Sequence, residues 1–337
     1  MIEKSYLGIG NLQFIQFLFM RYLSLLSGVL LLGLLAFTPK GKSSKRAYKQ
    51  FEKAYSNFTF IPGGTWTSDK DLSKGNSFID VDPKMNITQS FWMSKYEVSN
   101  ADWKTFLKDI RLSQGIDSAK KLLPDTNQWT SLAFYNEPMR HYYFRHPAYA
   151  NYPVSSVSLK QCLAYCNWLE SKIMRDLGVF LKDIDVRLPT ENEWEYAASA
   201  GDTWPYPWGT YLRNSKGNFL ANFRQVPMDR IKKVNGKLVL NMEYNESGAH
   251  FTPAPVSMYH ENEFGLFNMG GNVAEFVQTN PDEPDPTGAL AQYGITRGGS
   301  FYDPPYYMQN SVRDFYPNDS SAHFSRGFRP VITFSIK

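Results

Sequence analysis

The chain has 337 residues, 42% hydrophobic, 16% aromatic and 20% charged, a composition that supports a packed globular core and excludes a disordered or collagen-like chain. Its formal charge is +4, but residues 1–50 hold seven Lys or Arg against Glu3 alone, which leaves 29 basic against 31 acidic residues in the remainder. The bulk of the chain therefore offers no basic surface for nucleic acid, whereas the basic stretch, lying beside an apolar segment, suits anionic lipid headgroups.

That apolar segment is YLSLLSGVLLLGLLAF, residues 22–37. It is shorter than the roughly 20 residues a spanning helix needs and has the length and small-residue content of a signal-peptide core. Met20 and Arg21 would supply a start and a charged flank. Residues 1–40 are accordingly read as a signal peptide or, if FIQFLF upstream is added to the run, as an uncleaved membrane anchor. The expected destination is the periplasm or the membrane-associated cell envelope. No Cys follows the run to carry a lipid, and the positive charge is heavier after it than before, opposite to the usual orientation bias.

Residues 41–56 read as a linker or short polar helix, and a folded domain is expected over 57–337. FTFIPGGTWTSD opens it as a strand, a Gly-Gly turn and a second strand. In SFWMSKYEVSNADWKTFLKDI a strand runs to Val98. Ser99 then caps a helix on which Trp103, Phe106, Leu107 and Ile110 recur at helical spacing. Ser158 with Gln161, and Thr190 with Glu193, carry the reciprocal capping pattern at two further helix starts. The second of these helices should end where Gly201 takes a left-handed cap. The chain's two cysteines, Cys162 and Cys166, lie four apart on one helix face, a poor disulfide geometry that reads as two small buried residues.

Beyond Trp204 helical periodicity is lost and short apolar runs alternate with Gly, Pro and Asn, with NPDEPDPTG the clearest exposed loop. Arg187 and Glu195 are candidates for buried ion pairs. Gly298 and Gly299 suit backbone that a Cβ forbids, and Arg326 and Arg329 suit holding a carboxylate or carbonyls.

In order, FIPGGTW, MSKYEVSNADWKTF, YPVSSVS, CNWLESK, RLPTENEWEYAA, YPWG, GLFNMGGNVAEF, RGGSFYD and RGFRPV resemble the formylglycine-generating enzyme and sulfatase-modifying-factor family over roughly residues 57–335. The resemblance implies one compact, loop-rich α+β domain similar to the C-type-lectin-like fold. It also implies structural calcium on GLFNMGGNVAEF, with Asn272 and Glu275 as side-chain ligands and Gly270, Gly271 and Val273 beside them, since oxygen ligands on a tight loop suit a hard cation. A second calcium site would begin at Asn222 and Phe223, with Gly248 near an expected Asp.

Catalysis departs from the pattern. The family's oxidase chemistry uses two cysteine thiolates on copper after GGS, and here those positions hold Asp303 and Met308. Iron-dependent relatives use a histidine cluster in an extra N-terminal domain that has no counterpart here. Neither copper nor iron is expected, and no catalytic residue is assigned. YYFRHPAYANYPVSSVS, opening on His146 and Pro147, is similar to a segment of the gliding-motility K and J lipoproteins of type IX secretion, which also carry GNVAE. His146 itself reads as a packed loop histidine. Together these imply a non-catalytic exported scaffold whose partners are envelope proteins of a secretion or motility complex. An oxidase acting on a protein cysteine or small substrate, and a glycan-binding module, remain the alternatives.

Overall fold

The computed structural model describes residues 42–67, 85–131, 137–224, 228–234, 237–243, 252–279, 293–317 and 321–337. The chain divides into compact units of residues 1–49 and 50–337. The division falls inside helix α1 (Lys42–Ala54), so much of the expected linker is helical. Among the described residues no helix is long and apolar enough to cross a membrane.

The second unit is built on two small sheets. Strands β1 (Phe58–Ile61), β4 (Phe91–Ser94), β12 (Val331–Ile336) and β5 (Leu181–Arg187) form the first, in the order β1-β4-β12-β5. The last strand of the chain is thus central, and Val331 pairs with both Met93 and Arg187. The second sheet runs β10 (Asp314–Pro317), β9 (Tyr293–Arg297), β8 (Ala274–Val277) and β11 (Arg326–Gly327). Strands β2 (Gly64–Thr67) and β3 (Met85–Thr88) pair with each other, so the Gly-Gly turn joins strands of different sheets rather than a hairpin. A further ribbon joins β6 (Met228–Val234) to β7 (Lys237–Glu243).

The helices start where their caps place them. Helix α2 (Asn100–Gln114) opens on Ser99, which is capped reciprocally by Asp102, and buries Trp103, Phe106 and Ile110. Two short helices follow, α3 (Ile116–Lys120) and α4 (Glu137–Tyr142). Helix α5 (Leu159–Leu177) and helix α6 (Glu191–Ser199) carry the expected Ser158–Gln161 and Thr190–Glu193 capping boxes. At the end of α6 the left-handed turn begins one residue earlier than expected: Ala200 has φ 52° and Gly201 φ 83°. The strand before α2 stops at Ser94, short of Val98.

Aromatic rings fill the space between these elements. Trp103 stacks on Tyr165 at 5.6 Å and meets Phe328 edge-on at 6.0 Å, joining α2, α5 and the chain end. Trp194 of α6 is fully buried among Ile61, Phe91, Met93, Leu266 and Val331. Cys162 and Cys166 lie in this interior as free thiols. Burial pushes the Cys166 thiol up to about 12 and raises Cys162 as well, so both stay protonated and inert.

Candidate functional site

GLFNMGGNVAEF runs through four left-handed positions, Gly265 (φ 75°), Asn268 (φ 52°), Gly271 (φ 84°) and Asn272 (φ 67°), before entering β8. A Cβ on Gly271 would collide with the carbonyl of Asn222, so only glycine fits there. The tight path turns the two asparagine side chains inward, where they stitch distant segments together. Asn272 Nδ2 donates to Glu97 Oε1 at 2.8 Å and to the Ala254 carbonyl at 3.2 Å. Its Oδ1 accepts from the Ala254 N–H at 2.7 Å and from Asn222 Nδ2 at 3.3 Å. Asn268 Nδ2 donates to Glu97 Oε2 and to the Val256 carbonyl, each at 3.0 Å, while its Oδ1 is buried without a partner.

Glu275 is 1% exposed and faces Arg329, which is fully buried. Arg329 Nη2 reaches Glu275 Oε1 at 2.6 Å, and Nε lies 2.9 and 2.8 Å from the two carboxylate oxygens. Trp194 Nε1 adds a fourth contact, to Oε2 at 2.8 Å. The remaining Arg329 hydrogens go to the carbonyls of Ser94, Lys95 and Phe267. Arg329 thus does what RGFRPV implied, holding a carboxylate and three carbonyls, and ties the chain end to the β4 exit and to this loop.

The cation expected on this loop does not fit the side chains named for it. Both oxygens of Glu275 already accept from protein donors, and a guanidinium already supplies the positive charge. Asn272 Oδ1 is likewise taken. Val273 is buried and packs against Gly327, and Gly270 lies under the Trp208 ring, so both shape the turn. Of the second site, Asn222 Nδ2 donates to Thr252 and Asn272, and Phe223 is a core residue with its ring 5.0 Å from Phe219. Gly248 lies outside the described residues. Among the described residues no three His, Cys, Asp or Glu are grouped to hold a metal.

Sequence reading missed Glu97, although it sits in the quoted MSKYEVSN. It is 1% exposed, and its carboxyl is pushed up to about 8 by burial and by the charge of Glu275, against the opposing pull of Arg329 and the two asparagines. Nothing local marks it, because its partners come from residues 268–272.

The positions that the resemblance assigned to catalytic thiolates are filled differently. Met308 is fully buried and packs with Ala221 and Phe223. Asp303 follows a Gly298–Gly299 turn at φ 85° and 63°. Its Oδ2 accepts from Ser300 Oγ at 2.5 Å, and its carbonyl accepts the Arg224 N–H at 2.9 Å. Burial raises its carboxyl above the usual range, with Ser300, Arg326 and Arg224 pulling the other way. A hard carboxylate and an enclosed thioether cannot replace two reactive thiolates. Arg326 lies with its guanidinium 4.4 Å above the Tyr316 ring, and its charge acts on the carboxyls of Asp303 and Asp314.

Arg187 and Glu195 both form the ion pairs expected of them, each with its own partner. Arg187 grips Glu193 at 2.6 and 2.7 Å, whereas Glu195 meets Arg297 at 3.3 Å. Arg297 and Arg313 share Glu191, a fully buried carboxylate. His146 is exposed, and its Nδ1 accepts from the Ala148 N–H as a local cap.

The sulfatase-modifying factor enzyme 1-like domain matches residues 44–334, and the chain belongs to that family. It is 29% identical over 238 residues to the formylglycine-generating enzyme of Mus musculus, a match that spans 64% of this chain and 56% of the mouse protein. It is 24% identical over 270 residues to the inactive C-alpha-formylglycine-generating enzyme 2 of Bos taurus, covering 73% and 77% of the two chains. The fold resembles that of Treponema denticola variable protein 1 with a TM-score of 0.52 at 18% identity, over 81% of this chain and 94% of that one.

Proposed function

We propose that this domain is a non-catalytic interaction module of the exported cell envelope, acting as a scaffold in a secretion or motility assembly of the type IX kind. The observation that carries the proposal is the pair Asp303 and Met308. One is a carboxylate bonded to Ser300 and the other a core residue, where an oxidase of this family needs two thiolates. The chain's only two cysteines are buried elsewhere, with their ionisation suppressed. A relative whose name records inactivity is consistent with a family in which the fold outlives the chemistry. The gliding-motility assignment rests on YYFRHPAYANYPVSSVS and GNVAE, and export rests on residues 22–37.

The decisive assay is oxygen-dependent conversion of a Cys-x-Pro-x-Arg peptide by purified protein with and without copper. No product is expected, and turnover that is lost on substituting Asp303 overturns the proposal. Crosslinked pull-down from the native envelope addresses the scaffold role. Secretion or motility proteins support it, and recovery of a sulfatase counts against it. N-terminal sequencing of protein from its host tests export. A start within residues 36–40, or an intact membrane-attached chain, is the expected result.

A further inference from the structure

We infer that the outer face of α1 docks on an anionic lipid surface. Residues 40–53 contain Lys40, Lys42, Lys45, Arg46, Lys49 and Lys53 against the single acid Glu52. Within the helix Lys45, Arg46, Lys49 and Lys53 are exposed. The other side is fixed by Phe51, which is fully buried with its ring 4.9 Å from Trp92 and 4.8 Å from Phe334. At about 100° per residue, the four exposed cations fall within an arc roughly 100° wide centred opposite Phe51. The helix therefore has one aromatic side that is committed to the fold and one exposed side that carries the cations.

Position along the chain selects the partner. The apolar run ends at Phe37 and α1 begins at Lys42, so at about 3.5 Å per residue the first turn lies within roughly 17 Å of the end of that run. Clustered Lys and Arg next to a membrane-entering segment are attracted to acidic headgroups and act within about a Debye length of them. Positive charge is concentrated here while the rest of the chain is slightly acidic, which favours lipid over an acidic protein or nucleic acid docked on the domain.

The inference rests on reading residues 22–37 as membrane-entering. Its test compares partition of the full chain into vesicles of phosphatidylcholine alone and vesicles with 30% phosphatidylglycerol. The apolar segment contributes to both constants and cancels in their ratio. The expected anionic-to-neutral ratio is tenfold or more at about 0.1 M salt, where screening is moderate, and it falls to about one or two near 0.5 M. The variant Lys45→Glu/Lys49→Glu/Lys53→Glu, with near-ultraviolet circular dichroism confirming the fold, should lose the preference while still binding both vesicles. A wild-type ratio near one, or a ratio the variant leaves unchanged, overturns the headgroup contact alone. Failure to bind either vesicle overturns the membrane reading of residues 22–37 together with it.

Discussion

Replacing Glu275 by Gln tests the Arg329 contact at almost constant shape. The carboxylate accepts every hydrogen bond aimed at it, three contacts from Arg329 and one from Trp194, at 1% exposure. The amide keeps one oxygen and turns an NH₂ toward N–H donors, leaving the Arg329 charge buried and unpaired. Breaking a buried pair in this way costs about 3–5 kcal/mol, a large share of the roughly 5–15 kcal/mol that holds a typical domain together. At about 2–4 °C per kcal/mol for a large domain, the melting temperature should fall by roughly 6–20 °C. Arg329→Met should cost at least as much, because it also leaves the carbonyls of Ser94, Lys95 and Phe267 without a donor. Calorimetry of both single variants and of Glu275→Gln/Arg329→Met completes the cycle, and the double variant should be less damaged than the two singles combined. If Glu275→Gln melts within about 2 °C of wild type, less than a single kcal/mol by the same scaling, the guanidinium does not hold this carboxylate.

Calcium and chelator should give the same wild-type melting temperature, because Glu275 and Asn272 are already bonded; an ion at a hundredfold excess over Kd would instead add about 2.7 kcal/mol and raise it measurably. Glu97 has a folded pKa raised to about 8, so its contribution to stability is fully present below its unfolded value and is lost as pH rises through the folded one. Denaturant titrations between pH 5 and 8, both ordinary assay values, should show stability falling by up to about 1.4 kcal/mol per pH unit from this group, and Glu97→Gln should flatten that component. A disulfide thiol reagent should detect no thiol in the native protein and two after denaturation, since Cys162 and Cys166 are 0% and 1% exposed; rapid native labelling would contradict the inert reading.

The helices and their starts were legible because caps are local. Ser99, Ser158 and Thr190 announce them within three residues, and Trp103, Phe106 and Ile110 supply the period. The ion-pair partners were not legible, because spacing cannot tell that Arg187 will choose Glu193 while Glu195 turns to Arg297, more than a hundred residues away. The same holds for the site. Asn272 and Glu275 could be found from GGNVAE, but what they bind depends on Glu97, Ala254 and Arg329, which arrive from three other parts of the chain. An oxygen-rich loop pattern therefore reads equally well as a cation cage or as the acceptor half of an internal network. Only the positions of the donors separate the two.

That ambiguity follows from the architecture. A domain with two four-stranded sheets and long connections must satisfy many backbone groups away from regular ladders, and it does so with buried side chains. Arg329 caps three carbonyls, Asn262 caps two at the end of α6, and Asn272 bridges two segments. Each such group brings charge or polarity inside, and Glu275 offsets the Arg329 charge as Glu191 offsets Arg297 and Arg313. Perturbed carboxyls such as those of Glu97 and Asp303 follow from this construction through burial. Within this fold, a buried charged residue identifies a chemical site only when it is left with capacity for a substrate. At Asp303, where Oδ2 accepts from Ser300 and burial raises the carboxyl, the side chain offers an oxygen acceptor and no thiolate.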